Sequence, residues 1–373
     1  MPIGEPSVPE PLRVAIVGTG GISRYIHIPA YKRMEARGMV KVVALCDTVP
    51  EALAAAASQF GVERTFTDYR DAVGRSDIDV VSVATPNAAH EPVSIAALNA
   101  GKHVLCEKPL ALDHAGALRM LEAARKSGKR TAVHFRYRFI PSALYLKELV
   151  ETGELGDIYQ AFLHYFQAQV HDPHTPARWR QSTADAGGML GDIGSHILDL
   201  AMWILGPIAR VHATSKTFTK ERSTEGGGRV PVEVDDATSM LVEFASGTMG
   251  VLCASGLCQG RGNHQRAEIY GTKGSAIYEI ERMDSGGDAL QVCFGAAQAR
   301  TVGLARAPIL ARHQRTADAP FTEFIEAINA DRDAPVTFAD AVRVQEVIDA
   351  AKLSAATGNW VSLPVPVPAL AVA

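Results

Sequence analysis

A chain of 373 residues exceeds one usual domain and predicts two, each large enough to bury its own core. Its 47% hydrophobic and 21% charged residues are the proportions of a soluble globular protein, and a net charge of −4 with dispersed lysines and arginines removes the electrostatic case for a nucleic-acid partner. The five cysteines, Cys46, Cys106, Cys253, Cys258 and Cys293, form an odd set without a CxxC pair, the pattern of thiols in a reducing compartment. Met1 to Pro11 lacks the basic start and apolar core of an export signal. The apolar run after Val361 is broken by Pro364, Pro366 and Pro368, so no membrane span is predicted and the expected location is cytoplasmic.

The first elements alternate. Leu12 to Val17 is a short apolar run that ends in Gly18-Thr19-Gly20-Gly21-Ile22-Ser23, a buried strand entering a glycine turn. A helical pattern with Tyr31, Met34 and Ala36 follows, then a strand from Val40 to Cys46 that ends at Asp47. Strand, glycine turn, helix, strand and acid is the order of a dinucleotide fold: the glycines let a pyrophosphate approach backbone N–H groups at a helix start, and the acid accepts hydrogen bonds from a ribose. Two departures stand out. Ser23 replaces the third glycine of the fingerprint, and Asp47 lies beyond the usual spacing of about 20 residues. A carboxylate at Asp47, with Thr48 offering no positive charge, favours NAD over NADP.

The alternation continues with a helix from Glu51 to Phe60, a strand from Ile78 to Ala84 ending in Thr85-Pro86-Asn87, and a helix from Ala88 to Ala100 that carries His90. A strand from His103 to Cys106 ends in Glu107-Lys108-Pro109, Asp113 caps a helix to Ser127, and Arg130 to Phe135 forms the last strand. This predicts an α/β fold, a Rossmann doubly wound parallel sheet over residues 12–136 behind a tail at 1–11. Asp47, Thr85 to Asn87, Lys108 and His134 all fall at strand C-terminal ends, where ligands gather in such sheets.

After a helix from Ser142 to Thr152 the pattern changes. A strand-like run covers Ile158 to Val170, an irregular loop covers His171 to Asp185, and a helix covers Leu190 to Leu205. Extended runs then dominate: Val211 to Thr219, Thr238 to Ala245, Thr248 to Ser255, Ala267 to Tyr270 and Ala276 to Ile280, with hairpin turns at Gly247 and Gly271 to Gly274. Helices over Phe321 to Ala330 and Phe338 to Ala356 close the chain. Residues 137–360 therefore read as an α+β substrate-binding domain with a large, mostly antiparallel sheet, followed by a tail at 361–373. A sheet covered by helices on one side leaves its other face for a second copy, so a homodimer or homotetramer is expected.

The residues that carry chemistry are Lys108, beside a proline at a strand end, and the pair Asp192 and His196, four apart on one helix. That helix is otherwise apolar, so its polar groups need partners. Oxidising an alcohol with a nicotinamide removes a hydride from carbon and a proton from oxygen. An imidazole suits the proton step, and an ammonium on the same oxygen stabilises alkoxide character. Asp192 orients the site or binds a neighbouring hydroxyl, and Asp199 either orients His196 or is a structural acid. His134, Arg136 and Tyr137 are candidates to line the substrate pocket, and Trp179 to stack on a sugar ring or fill core. Arg180 is a candidate to reach the cofactor. The His171-Asp172-Pro173-His174 segment has metal-binding residue types without a further ligand set, and His164 reads as a structural group, so no metal is expected.

Together these residues are similar to the Gfo/Idh/MocA oxidoreductases, which include inositol, glucose-fructose and related sugar dehydrogenases. The resemblance runs from about Arg13 to about Pro364. It rests on Gly18-Thr19-Gly20, Ala84-Thr85-Pro86-Asn87, Glu107-Lys108-Pro109, Arg138-Phe139-Ile140-Pro141, Trp179-Arg180, Glu268 to Ser275, Trp360-Val361 and, above all, Gly187-Gly188-Met189-Leu190-Gly191-Asp192-Ile193-Gly194-Ser195-His196. It implies NAD(P)-dependent oxidation of a ring hydroxyl on a sugar or cyclitol, with Lys108 on the reacting hydroxyl and Asp192 and His196 completing the site. The implied cofactor set is Gly18, Thr19, Gly20, Gly21, Ile22, Asp47, Thr85, Pro86, Asn87, His90, Glu107, Lys108 and Arg180. Met189 departs from the family's third glycine, an alteration expected to change packing and leave the chemistry intact. Two rival readings keep parts of this picture: transient ring oxidation by a tightly held NAD during glycoside processing, and a non-catalytic NAD or sugar sensor.

Overall fold

The computed structural model describes residues 10–177, 188–224, 226–281, 288–295, 305–308 and 310–365. Its contacts divide the chain into two units. The first runs through Leu110 and adds Gly116–His134 and Ala317–Ala339, while the second holds Ala111–Ala115, Phe135–Thr316 and the chain from Asp340.

The first unit is built on six parallel strands: β1 (Leu12–Val17), β2 (Val40–Cys46), β3 (Thr65–Phe66), β4 (Val80–Val83), β5 (His103–Cys106) and β6 (Thr131–Val133). Their spatial order is β3-β2-β1-β4-β5-β6, so the order reverses beside β1 and a crevice opens at the strand C-terminal ends. β1 and β4 are buried over their apolar lengths because helices pack on the sheet, which is why they read as continuous runs of Val, Ala and Ile. The helices are α1 (Ile28–Glu35), α2 (Pro50–Phe60), α3 (Tyr69–Val73), α4 (His90–Asn99) and α5 (His114–Ser127). Gly61 and Gly128 follow α2 and α5 with φ of 64° and 66°, left-handed stops that a side chain would strain. A helix from far down the chain, α8 (Ala319–Asn329), joins this unit: Phe321 and Phe324 are buried in one core with Ile16, Tyr31, Met34 and Leu45. Full burial of each such side chain contributes about 1.5–3 kcal/mol.

The second unit opens with α6 (Pro141–Glu151), β7 (Ile158–Phe166) and α7 (Ser195–Leu205), and closes with α9 (Phe338–Thr357). Its other strands are β8 (Ile208–Lys216), β9 (Glu221–Ser223), β10 (Arg229–Pro231), β11 (Ala237–Phe244), β12 (Met249–Ser255), β13 (His264–Gly271), β14 (Gly274–Ile280), β15 (Ala289–Phe294), β16 (Ala305–Arg306) and β17 (Val361–Ser362). Nine strands form one sheet in the order β16-β15-β14-β13-β7-β12-β11-β8-β17, and β9 pairs with β10 in a separate hairpin. All neighbours in the large sheet are antiparallel except β7 and β12. α6 and α7 pack on one face. On the other face the register sets Leu241, Val251 and Phe162 side by side.

Candidate active site

The glycine turn after β1 is shaped by close approach. Gly18 has φ of 96°, and a Cβ there would lie 2.4 Å from the Ala84 carbonyl oxygen, so only glycine fits. Nothing lies within 4 Å of a Cβ built on Gly20 or Gly21, which leaves open space over the turn. Thr19 donates its backbone N–H (2.6 Å) and its hydroxyl (2.8 Å) to Oδ2 of Asp47, while Oδ1 accepts the Val49 N–H at 2.9 Å. The acid of the second strand thus braces the turn of the first. Ile22 is 40% exposed, and the Thr85 hydroxyl is a buried polar atom without a hydrogen-bond partner. An open glycine turn, an adjacent acid and an unmatched hydroxyl at strand ends fit a dinucleotide.

The other strand-end residues hold the crevice together. Asn87 opens a short 3-10 turn, Asn87–Ala89, and is buried. His90 is fully buried, its Nδ1 2.8 Å from the Pro109 carbonyl and its Nε2 3.1 Å from that of Thr85. It therefore links the Thr85-Pro86-Asn87 turn to the Lys108-Pro109 turn, with both ring nitrogens occupied by backbone. Burial lowers its pKa, ahead of the opposing pulls of the Pro109 carbonyl and Glu107. Lys108 is half-buried, and its bond to Pro109 is cis.

Glu107 is buried. Its Oε1 accepts from His27 Nε2 at 2.8 Å and from His134 Nδ1 at 2.7 Å, and its Oε2 from the Lys108 N–H at 3.1 Å. His27 Nδ1 meets the Ser82 hydroxyl at 2.9 Å, and Phe321 packs on both imidazoles. Burial pushes the Glu107 carboxyl up, but the charge and hydrogen bonds of His134, then of His27, outweigh it and hold the group well below the usual carboxylate range. The ligand atoms of this triad lie within 4.8 Å of one another, and their residue types suit a metal. Ligands on a tetrahedral ion with bonds of about 2.0 Å sit roughly 3.3 Å apart. The 2.7 and 2.8 Å separations are those of direct hydrogen bonds. His134, expected in the substrate pocket, thus turns one nitrogen inward. His27 had no signal in the sequence beyond its place in an apolar helical stretch, Ile26-His27-Ile28.

In the second unit, Asp192 lies in a π-helical turn, Leu190–Gly194, that runs into α7, where His196 is the second residue. π turns inside helices are rare and concentrate at functional sites. Gly188, with φ of 76°, permits the turn to seat against the strand-leading loop: a Cβ there would fall 2.0 Å from Asp235 Oδ1. Asp235 in turn accepts the Leu190 N–H at 3.0 Å and the Thr238 hydroxyl at 2.9 Å. Asp192 is half-buried and accepts from Gln169 Nε2 at 3.2 Å. His196 is buried, with its ring edge-on to Tyr137 at 4.7 Å and to Phe135 at 5.7 Å.

Behind His196 stands a polar network absent from the sequence reading. The Tyr137 and Tyr165 hydroxyls are 2.8 Å apart, Asn263 Oδ1 accepts from Tyr165, and Gln167 Nε2 donates to both Tyr165 (2.8 Å) and Asn263 (2.9 Å). Asp199 turns to Arg138, whose guanidinium bonds both carboxylate oxygens at 2.5–3.1 Å. Arg136 is half-buried. The His171 to His174 segment is a hydrogen-bonded loop held by Arg222, which donates to the carbonyls of Val170 and Asp172 at 2.6 and 2.8 Å. Trp179, Arg180 and Gly187 lie outside the described residues.

A six-stranded parallel sheet with this strand order, a braced glycine turn and an acid at the end of β2 define a nucleotide-binding oxidoreductase with a second, sheet-bearing domain. The chain belongs to the Gfo/Idh/MocA oxidoreductase family: its NAD-binding Rossmann model matches residues 12–135 and its C-terminal-domain model residues 143–277. The levoglucosan dehydrogenase of Pseudarthrobacter phenanthrenivorans is 34% identical over 95% of this chain and 98% of that protein. The D-glucoside 3-dehydrogenase of Escherichia coli is 34% identical over 64% of this chain and 68% of its own. Among solved structures, levoglucosan dehydrogenase in complex with NADH and levoglucosan superposes with a TM-score of 0.87 at 32% identity, covering 95% of this chain and all (100%) of that one.

Proposed function

We propose that this protein is an NAD-dependent dehydrogenase that oxidises a secondary ring hydroxyl of a pyranose, glycoside or cyclitol. The observation that carries the reading is the match to a sugar dehydrogenase along 95% of the chain. Gly18, Thr19, Gly20, Gly21, Ile22, Asp47, Thr85, Pro86 and Asn87 hold the dinucleotide, which when bound supplies the hydride acceptor. His196 takes the hydroxyl proton, a step suited to an imidazole because its ordinary pKa is about 6.5. The Lys108 ammonium donates a hydrogen bond to the same oxygen and stabilises its alkoxide character. Asp192 holds a neighbouring hydroxyl and fixes the sugar's orientation, and Arg136 and Tyr137 line the pocket.

The assembly is a homodimer or homotetramer formed through the open face of the large sheet, where Leu241 and Met249 are 48% and 58% exposed. The location is the cytoplasm, a reading supported by free thiols at all five cysteines. No described helix is long and apolar enough to cross a membrane.

The test is NADH formation by purified protein over inositols, aldoses and glycosides, with NADP in parallel. A substrate-dependent signal with NAD is expected. A silent panel with NAD retained by the purified protein would favour internal redox on a glycoside instead. Lys108→Ala should lower kcat by about 10²- to 10⁴-fold, the worth of a positioned proton-handling group. NAD affinity should stay within a few-fold, and full activity in that variant would remove the lysine from the mechanism.

A further inference from the structure

We propose that the buried His27–Glu107–His134 triad is a positioning unit for the reacting lysine: a carboxylate, itself held by two imidazoles, that fixes the Lys108 backbone at the end of β5. The inference rests on the assignment of Lys108 to the substrate hydroxyl.

Three observations support it. First, the carboxylate spans four elements. Through His27 it reaches the π-helical turn Ser23–His27 that follows the glycine turn, and through His27 Nδ1 and Ser82 it reaches β4. Through His134 it reaches the end of β6, and through its own Oε2 it holds the Lys108 N–H at the end of β5. These are the ends at which a nicotinamide and its substrate would meet. Second, two imidazole N–H groups on one oxygen are more than a core glutamate needs, since one hydrogen bond already satisfies a buried acceptor. The arrangement secures the ionised form in particular. Third, an apolar residue would fill the same space without the cost of burying a carboxylate and two imidazoles, so packing alone does not account for the triad.

The triad acts through the lysine and touches no reacting atom. Glu107→Gln keeps the shape and removes the charge. The Gln amide that accepts from the two imidazoles cannot also accept the Lys108 N–H, so the expected result is NAD affinity and sugar KM within a few-fold of wild type and kcat lower by about 10- to 100-fold, the usual effect of deleting a group that orients a reacting side chain. Wild-type kcat would overturn the proposal, and so would a fall explained by lost NAD or sugar binding, since that marks disruption of the crevice rather than misplacement of the lysine. Glu107→Asp keeps the charge and shortens the reach. If Glu107→Gln yields no folded protein, Glu107→Asp decides: reduced kcat with NAD affinity and KM held is expected, and unreduced kcat overturns the proposal. Lys108→Ala run alongside separates the two readings. An inactive lysine variant with a normal Glu107→Gln sinks the triad alone, whereas an active one sinks the lysine assignment.

Discussion

At Asp47 the carboxylate is engaged before any cofactor arrives: Oδ2 accepts two hydrogen bonds from Thr19 and Oδ1 one from the Val49 N–H. The acid therefore arrives oriented, and its remaining acceptor capacity is what a ribose diol would use. Asp47→Asn retains a carbonyl for Thr19 and removes the charge. A hydrogen bond to a charged group is worth about 1.5–3 kcal/mol, so the ratio of kcat/KM with NAD to that with NADP should fall by roughly 10- to 150-fold. Initial rates with each cofactor at fixed sugar measure it; an unchanged ratio would mean that the carboxylate does not discriminate. Asp47 was legible because an acid closing the second strand is a local pattern. His27 and Glu107 were less so. A histidine inside an apolar helical stretch looks like any core position, and Glu107 stands out only as the neighbour of Lys108. Their pairing joins residues 80 apart, and single-chain periodicity carries no trace of such a contact.

Among the elements, β1, β2 and β5 match the expected bounds outright and α6, β11 and β12 differ by one residue, whereas β8 and β13 begin three residues before, and β7 ends four residues before, the bounds expected of them. The strands β3, β9, β10, β16 and β17 have two or three residues each, too few to establish an alternation. The π turn at Leu190–Gly194 escaped for a different reason: it runs directly into α7 without a break, so the stretch reads as one regular helix. What does mark the turn is Gly188. A side chain there would face φ of 76° and a Cβ 2.0 Å from the Asp235 carboxylate. Gly188→Ala should destabilise the protein by about 1–3 kcal/mol and lower kcat by displacing Asp192, with NAD affinity unaltered. Thermal unfolding and steady-state kinetics check both parts. A variant as stable and as active as wild type would show that the turn tolerates rearrangement.

Among the described residues, a broad surface of the second unit is not accounted for by its core. The nine-stranded sheet carries α6 and α7 on one face. On the other, Leu241 of β11, Val251 of β12 and Phe162 of β7 form an apolar row in register, and Met249 stands nearby, 58% exposed. Beside this row His164 stacks on Phe166 at 4.2 Å, and burial lowers its pKa to about 4, with the charges of His264 and Arg266 adding to the effect. A neutral imidazole stacked on a phenyl ring is apolar surface in practice, so the face grows less polar across the middle of the sheet. Contiguous apolar area of this kind is uncommon on monomers, and a two-fold axis through the sheet would bury it against its own copy. Leu241→Glu places a charge in the centre of the row, and in a self-complementary interface each substitution is met twice. Light scattering after size exclusion should find the wild-type protein as a dimer or tetramer and the variant at a lower order, with β11 and its hydrogen-bond ladder intact by circular dichroism. The carboxylate would have to be desolvated without a partner in the assembled state, a cost of several kcal/mol, enough to separate copies at micromolar concentration. A wild-type protein that runs as a monomer, or a Leu241→Glu variant that assembles unchanged, would place the oligomer contact elsewhere and leave the open face to another partner.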